Sequence, residues 1–211
     1  MRRLPARADY DPAVAYRLFD EAVMCHVGYV LDGVPYVIPM LHVRADDRLY
    51  LHGAAGNRTL DAVVSGAAVC VETTLLDGLV LGRSAYENSV NYRSVIAFGQ
   101  GRPVEGEDAK RDAMTLLLRR LLPPGRLEDV RALSPRELAR TKVIELTLAE
   151  CSVKVRRGPA LDDRRDLDAP VWAGEIPFLS VLGTPRHDGA GRTDIPAPAF
   201  PDGWAGPPNP R

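Results

Sequence analysis

The segment Leu-Tyr-Leu-His-Gly-Ala-Ala-Gly-Asn-Arg-Thr-Leu at residues 49–60 carries the most chemistry in this chain. It reads as a strand, a loop of small residues and the start of a helix. Backbone N–H groups at a helix start attract anions, and glycine lets a phosphate come close to the backbone. Asn57 and Thr59 add hydrogen-bonding groups, and Arg58 adds a charged fork suited to a phosphate. The pattern is that of a phosphate cradle, although an ordinary capped helix with a solvated arginine has the same signature. His52 ends the strand beside this loop, where an imidazole can serve as acid, base or nucleophile, or be held by a backbone carbonyl.

A second segment, Ser-Val-Asn-Tyr-Arg-Ser-Val at residues 89–95, heads another strand. Strand alternation puts Tyr92, Ser94 and Ile96 on one face and Arg93 and Val95 on the other. The Tyr92 ring can flank a planar ligand, and Arg93 can reach a phosphate or a carboxylate. An exposed strand end with routine polar groups is the plainer reading of the same residues.

Other chemistries find little support. His26 and His42 fall in strands without the spacing of a metal pair, so no metal site is expected. Cys25 and His26 are adjacent and point to opposite faces of a strand, which rules out a dyad between them. No Gly-x-Ser-x-Gly elbow surrounds Ser84. No strand–Gly-x-Gly-x-x-Gly–helix unit marks a dinucleotide fold. The three cysteines, Cys25, Cys70 and Cys151, share no disulfide or zinc spacing and read as buried thiols.

The elements that must position these residues follow from periodicity and punctuation. Asp11-Pro12 starts a helix expected over residues 12–23. Strands at 25–31 and 34–43 flank an Asp32-Gly33 hairpin turn, and a third strand covers 48–52. Pro35 and Pro39 make the second of these an edge or bulged strand. A short helix at 58–65 precedes strands at 67–74, 79–85 and 92–99. A helix at 107–122 and one opened by the capping box Ser134-Pro135-Arg136-Glu137 come next, then strands at 142–148 and 152–157. The expected fold is mainly β with inserted helices: a small antiparallel split barrel of six or seven strands, Greek-key-like, with helices at its rim.

Three regions are expected: a barrel domain at 1–158, an extension packed on it at 159–184, and an irregular or disordered tail rich in proline and glycine at 185–211. A net charge of −1 gives no field for nucleic acid or an anionic membrane. No apolar run reaches the length of a membrane span and no leader is visible, so the expected location is cytoplasmic.

Taken in order, Cys25-His26-Val27-Gly28, Pro35-Tyr36-Val37-Ile38-Pro39, Leu49-Tyr50-Leu51-His52-Gly53, Asn57-Arg58-Thr59-Leu60, Asp77-Gly78-Leu79-Val80-Leu81 and the run from Ser89 to Gly99 carry a resemblance. Val171-Trp172-Ala173-Gly174 extends it, so that it spans residues 10–182. The chain resembles the pyridoxamine 5′-phosphate oxidase-like flavin-binding split-barrel proteins, in particular their nitroimidazole-resistance branch. That resemblance implies a homodimer with FMN, or FAD, in a cleft that both subunits build. It implies that Ile38, Pro39 and Met40 line the flavin ring, with His52 and Gly53 close by. Asn57, Arg58 and Thr59 would hold the phosphate, and Tyr92, Arg93 and Ser94 would face the cofactor, across the dimer interface. His52 takes the catalytic role. The implied activity is oxidoreduction of a small planar acceptor by flavin that NAD(P)H has reduced. A flavin carrier or sensor without turnover is the alternative, as is a haem or deazaflavin binder on the same fold. Tyr86-Glu87-Asn88 stands where many relatives carry Phe-His-His, which puts the substrate class in doubt.

Overall fold

The computed structural model describes residues 8–200 except residue 149, so the last part of the expected tail, 201–211, lies outside the described residues. The strands form a single curled, antiparallel, ten-stranded sheet in the order β1-β9-β6-β5-β2-β3-β4-β8-β7, with β10 added alongside β5. In chain order the strands are β1 Ala8–Asp9, β2 Met24–Leu31, β3 Val34–Ala45, β4 Arg48–Ala54, β5 Val69–Leu81, β6 Ser89–Gly99, β7 Gly101–Pro103, β8 Thr141–Thr147, β9 Glu150–Arg156 and β10 Gly174–Pro177. The helices are α1 Pro12–Glu21, α2 Arg58–Val64, α3 Glu107–Leu121, α4 Arg126–Asp129 and α5 Pro135–Ala139. This is a half-barrel, the split β-barrel architecture expected from the sequence, with more strands than the six or seven read there.

Two apolar clusters hold it together. The inner face of the curl buries Cys25, Val27, Met40, Leu49, Leu51, Val71, Val95 and Ile144 against α1 and α2. On the opposite face, α3 and α5 cover Val43 and Val143 through Met114, Leu117 and Leu138. The rest of that outer face is open: Met24, Val37 and Phe98 are 41%, 65% and 51% exposed. Strand alternation produces both faces, since odd positions of β2 are buried while Met24 and His26 look outward.

Local chemistry explains the boundaries. Asp11 caps α1 by accepting from the Ala13 N–H, and the Ser134–Glu137 capping box closes reciprocally. Asp32 and Gly33 both take positive φ, as the tight hairpin between β2 and β3 requires. Pro35 and Pro39 pair with β2 through Val30 and His26, while β4 joins β3 only from His42 onward. The prolines therefore occupy the part of β3 whose other side no strand among the described residues joins.

The strands expected at 67–74 and 79–85 are one continuous strand, β5. Asp77-Gly78 forms a bulge in it rather than a turn, because the β6 partner shifts register between Leu76 and Gly78. A Cβ at Gly78 would sit 2.7 Å from the Ile176 carbonyl, so glycine there lets β10 lie alongside. Likewise α1 ends at Glu21, where Ala22 turns extended, short of the expected 23.

Arg93 ties the barrel to its helix. Its guanidinium donates to Asp77 Oδ1 at 2.6 Å and to Glu21 Oε1 at 2.7 Å, joining β6, β5 and the end of α1. The two carboxylates raise its pKa well above the ordinary arginine value. Arg93→Met leaves Glu21 and Asp77 without their cation and is expected to cost about 2 kcal/mol. Urea unfolding of the variant checks this, and an unchanged midpoint would contradict it.

Candidate functional site

The outer face of the half-barrel displays several of the residues picked out in the sequence. On β4, Leu49 and Leu51 point into the core, so His52 lies on the outer side with Tyr50. His52 is half-buried, and its Nδ1 is enclosed with no hydrogen-bond partner among the described residues. Burial lowers its pKa, so the neutral ring is favoured.

Gly53 faces the other way, toward α2. A Cβ there would stand 2.7 Å from Asn57 Nδ2 and 3.1 Å from Leu60 Cδ1. Glycine thus lets the Asn57 side chain fold back against β4, where its Oδ1 accepts from the Leu60 N–H at 3.1 Å and caps α2. Arg58 opens α2 and is exposed, with no ion pair among the described residues. Lys142 forms an ion pair with Asp61 one turn further on. Thr59 is buried instead, its Oγ1 3.2 Å from the Tyr29 hydroxyl. In this conformation its hydroxyl is engaged inside the barrel.

On β3 the three expected flavin-lining residues divide. Met40 is buried and Ile38 partly buried, both packed into the inner core. Only Pro39 presents its side chain outward, opposite His26. On β6, alternation holds as expected: Val95 is fully buried, while Tyr92 and Ser94 look outward. The Lys154 ammonium lies 5.2 Å from the centre of the Tyr92 ring. Arg93 points inward and is engaged by Glu21 and Asp77.

The sheet order sets what these residues can reach. From β3 to β6 the order runs through β2 and β5, so the strands that carry Pro39 and Ser94 are three strand spacings, about 14 Å, apart. Pro39 and His52 share the outer side of β3 and β4, and Arg58 opens α2 just after β4; Tyr92 and Ser94 lie on β6, beyond β2 and β5.

Three features escaped the sequence reading. His26 and Glu72 are neighbours across β2 and β5, with Nδ1 and Oε2 3.4 Å apart. Their pairing depends on a register that no local signal discloses. Asn91 donates to Glu175 at 2.5 Å and accepts from Arg156, which latches β10 onto β6 and β9. Asp162 accepts from the Arg83 backbone at 2.7 Å, a second anchor of the C-terminal extension.

A half-open antiparallel barrel with a polar loop at one rim and an exposed outer face defines a split-barrel protein. The chain belongs to the pyridoxamine 5′-phosphate oxidase family, whose sequence model matches residues 11–155. Among solved structures it is similar to the flavocytochrome Anf3 from Azotobacter vinelandii, at 35% identity and a TM-score of 0.84, over 94% of this chain and 92% of that one. An FAD and heme binding protein from Mycobacterium smegmatis is 32% identical, with a TM-score of 0.83, over 91% of this chain and 94% of its own. A candidate 5-nitroimidazole antibiotic resistance protein from Bacteroides thetaiotaomicron shares the fold at 24% identity and a TM-score of 0.59, over 70% and 86% of the two chains. Comparison with curated proteins gives no match. No helix among the described residues is long and apolar enough to cross a membrane.

Proposed function

We propose that this chain is a flavin-dependent oxidoreductase that acts as a homodimer, holds FAD or FMN between its subunits and also carries haem. One observation carries the reading: over more than nine-tenths of its length the chain aligns with a flavocytochrome and with an FAD and heme binding protein. The residues present fit a flavin. An enclosed imidazole nitrogen without a partner among the described residues, a glycine that keeps Asn57 folded against the strand, and an exposed arginine at the head of α2 all lie within residues 52–58.

Arg58 and the backbone around Asn57 hold the phosphate in this reading, and Pro39 and the β3 backbone line the ring. Ile38, Met40 and Thr59 support these groups from inside the barrel. Arg93 acts as a pin rather than a phosphate ligand. Tyr92 and Ser94 reach the flavin from the second subunit, since the sheet order separates them from Pro39 within one chain.

A bound flavin would supply the electron-transfer chemistry between a reduced nicotinamide and a small planar acceptor. His52 moves a proton at the acceptor through its ring. Residues 1–158 form the flavin domain, and 159–184 form an extension latched by Asn91 and Arg83. Residues 185–200 follow as an irregular tail. The three free thiols fit a cytoplasmic location.

Arg58→Ala is expected to weaken flavin binding about 10–100-fold, the loss of one charge-assisted bond. A flavin titration reads this directly, and equal affinity would make Arg58 a surface residue. Stopped-flow mixing with NADH or NADPH tests the donor. A protein that holds flavin but bleaches with neither donor is a carrier, and the oxidoreductase reading then falls.

A further inference from the structure

We propose that His26 is the axial ligand of the haem, with Glu72 fixing its ring, on the open outer face of β2 and β5. The inference rests on the haem part of the proposed function and assigns that group a place. A haem-binding imidazole needs one free ring nitrogen, an orienting partner on the other, and a flat apolar surface beside it.

The four histidines of the chain differ on these points. His42 is 2% exposed, and its Nε2 is bonded to the Phe19 carbonyl at 2.8 Å. No macrocycle can reach it. His187 is taken up by a local turn: Nδ1 accepts from the Gly189 N–H at 2.9 Å and Nε2 contacts the Arg192 carbonyl. His52 has an enclosed Nδ1 with no partner among the described residues to orient it. At His26, by contrast, Nδ1 faces the Glu72 carboxylate at 3.4 Å while half of the side chain is exposed, so the ring can present Nε2 to a ligand. A carboxylate behind a ligating imidazole sets its orientation and strengthens it as a donor.

The surface around His26 is suited to a flat, apolar group. Gly28, two residues along β2, carries no side chain, and Pro39 lies directly opposite on β3. Val37 and Phe98 stand exposed on the flanking strands, and Met24 on β2 completes the apolar border. Cys70, beside Gly28 on β5, is the other soft donor on this face. Burial and the Glu72 charge hold its thiol protonated, which disfavours it against the imidazole. Pro39 belongs both to the His26 surface and to the flavin rim, so the two groups would be neighbours, as electron exchange between them needs.

Full-length protein stripped of haem and titrated with haemin tests this. The wild type is expected to give a Soret band and a ferrous iron–histidine stretch in resonance Raman spectra. His26→Ala is expected to lower haemin affinity at least tenfold and to recover the Soret band on addition of imidazole, while flavin content stays unchanged. Glu72→Gln should retain haem but lower the iron–histidine frequency and make the haem potential more positive. His52→Ala should leave the Soret band as it is. A wild-type protein that binds flavin but no haemin would overturn the haem reading itself. A wild type that binds haemin, with His26→Ala giving the same affinity and stretch, would overturn the assignment to His26 alone.

Discussion

His52→Ala is expected to keep its flavin and lose turnover by about 10²–10⁴-fold, the usual contribution of a positioned proton-transfer group. The ring stands on the outer face of β4 with Gly53 next to it, and its enclosed Nδ1 has no partner among the described residues. Burial favours the neutral ring, so His52 hands on a proton rather than carrying a standing charge. Because the side chain is only half-buried, its truncation should leave the fold and the flavin cradle intact. Steady-state rates measured at equal flavin occupancy check the prediction. Turnover within about twofold of the wild type would confine His52 to a structural role.

Acid should destabilise the protein through His42 by on the order of 3 kcal/mol. This ring is enclosed between β3 and α1, edge-on to Phe19, and donates to the Phe19 carbonyl. Burial, aided by the Arg120 charge, lowers its pKa to about 4. The unfolded chain binds this proton near the ordinary value of 6.5 and the folded one only near 4. Above the upper value both states are neutral and the residue contributes no pH dependence. Between the two values stability falls by about 1.4 kcal/mol per pH unit as pH drops, and below the lower one the loss is complete. The difference between wild type and His42→Gln in urea unfolding, followed from pH 7 to pH 4, isolates this from the carboxylates. Parallel curves would contradict it.

Much of this architecture was legible because local chemistry and tertiary structure agree. The Asp11-Pro12 start, the Asp32-Gly33 hairpin and the Ser134–Glu137 box all act at a range of a few residues, and all appear in the structure. Alternation correctly separated Tyr92 and Ser94 from Val95. What stayed hidden depends on register and on distant partners. Asp77-Gly78 has the composition of a turn, yet β6 and β10 on either side hold it extended as a bulge. Arg93 has the look of a phosphate ligand in a strand-head motif. Only the arrival of Glu21 from α1, 72 positions away in sequence, shows how its charge is engaged. Thr59 follows a plausible cradle residue, but the helix turn carries its hydroxyl inward to Tyr29. The His26–Glu72 neighbourhood comes from β2–β5 pairing across 46 residues, and no spacing rule reports such a pair.

The most direct test of the central claim is the absorbance spectrum of the purified native protein, followed by that of the supernatant after heat denaturation. The account predicts flavin bands in the native spectrum and free flavin in the supernatant, with chromatography telling FAD from FMN. A colourless protein that also fails to bind either added flavin would contradict it, and would remove the functional role of Arg58, His52 and Pro39 together.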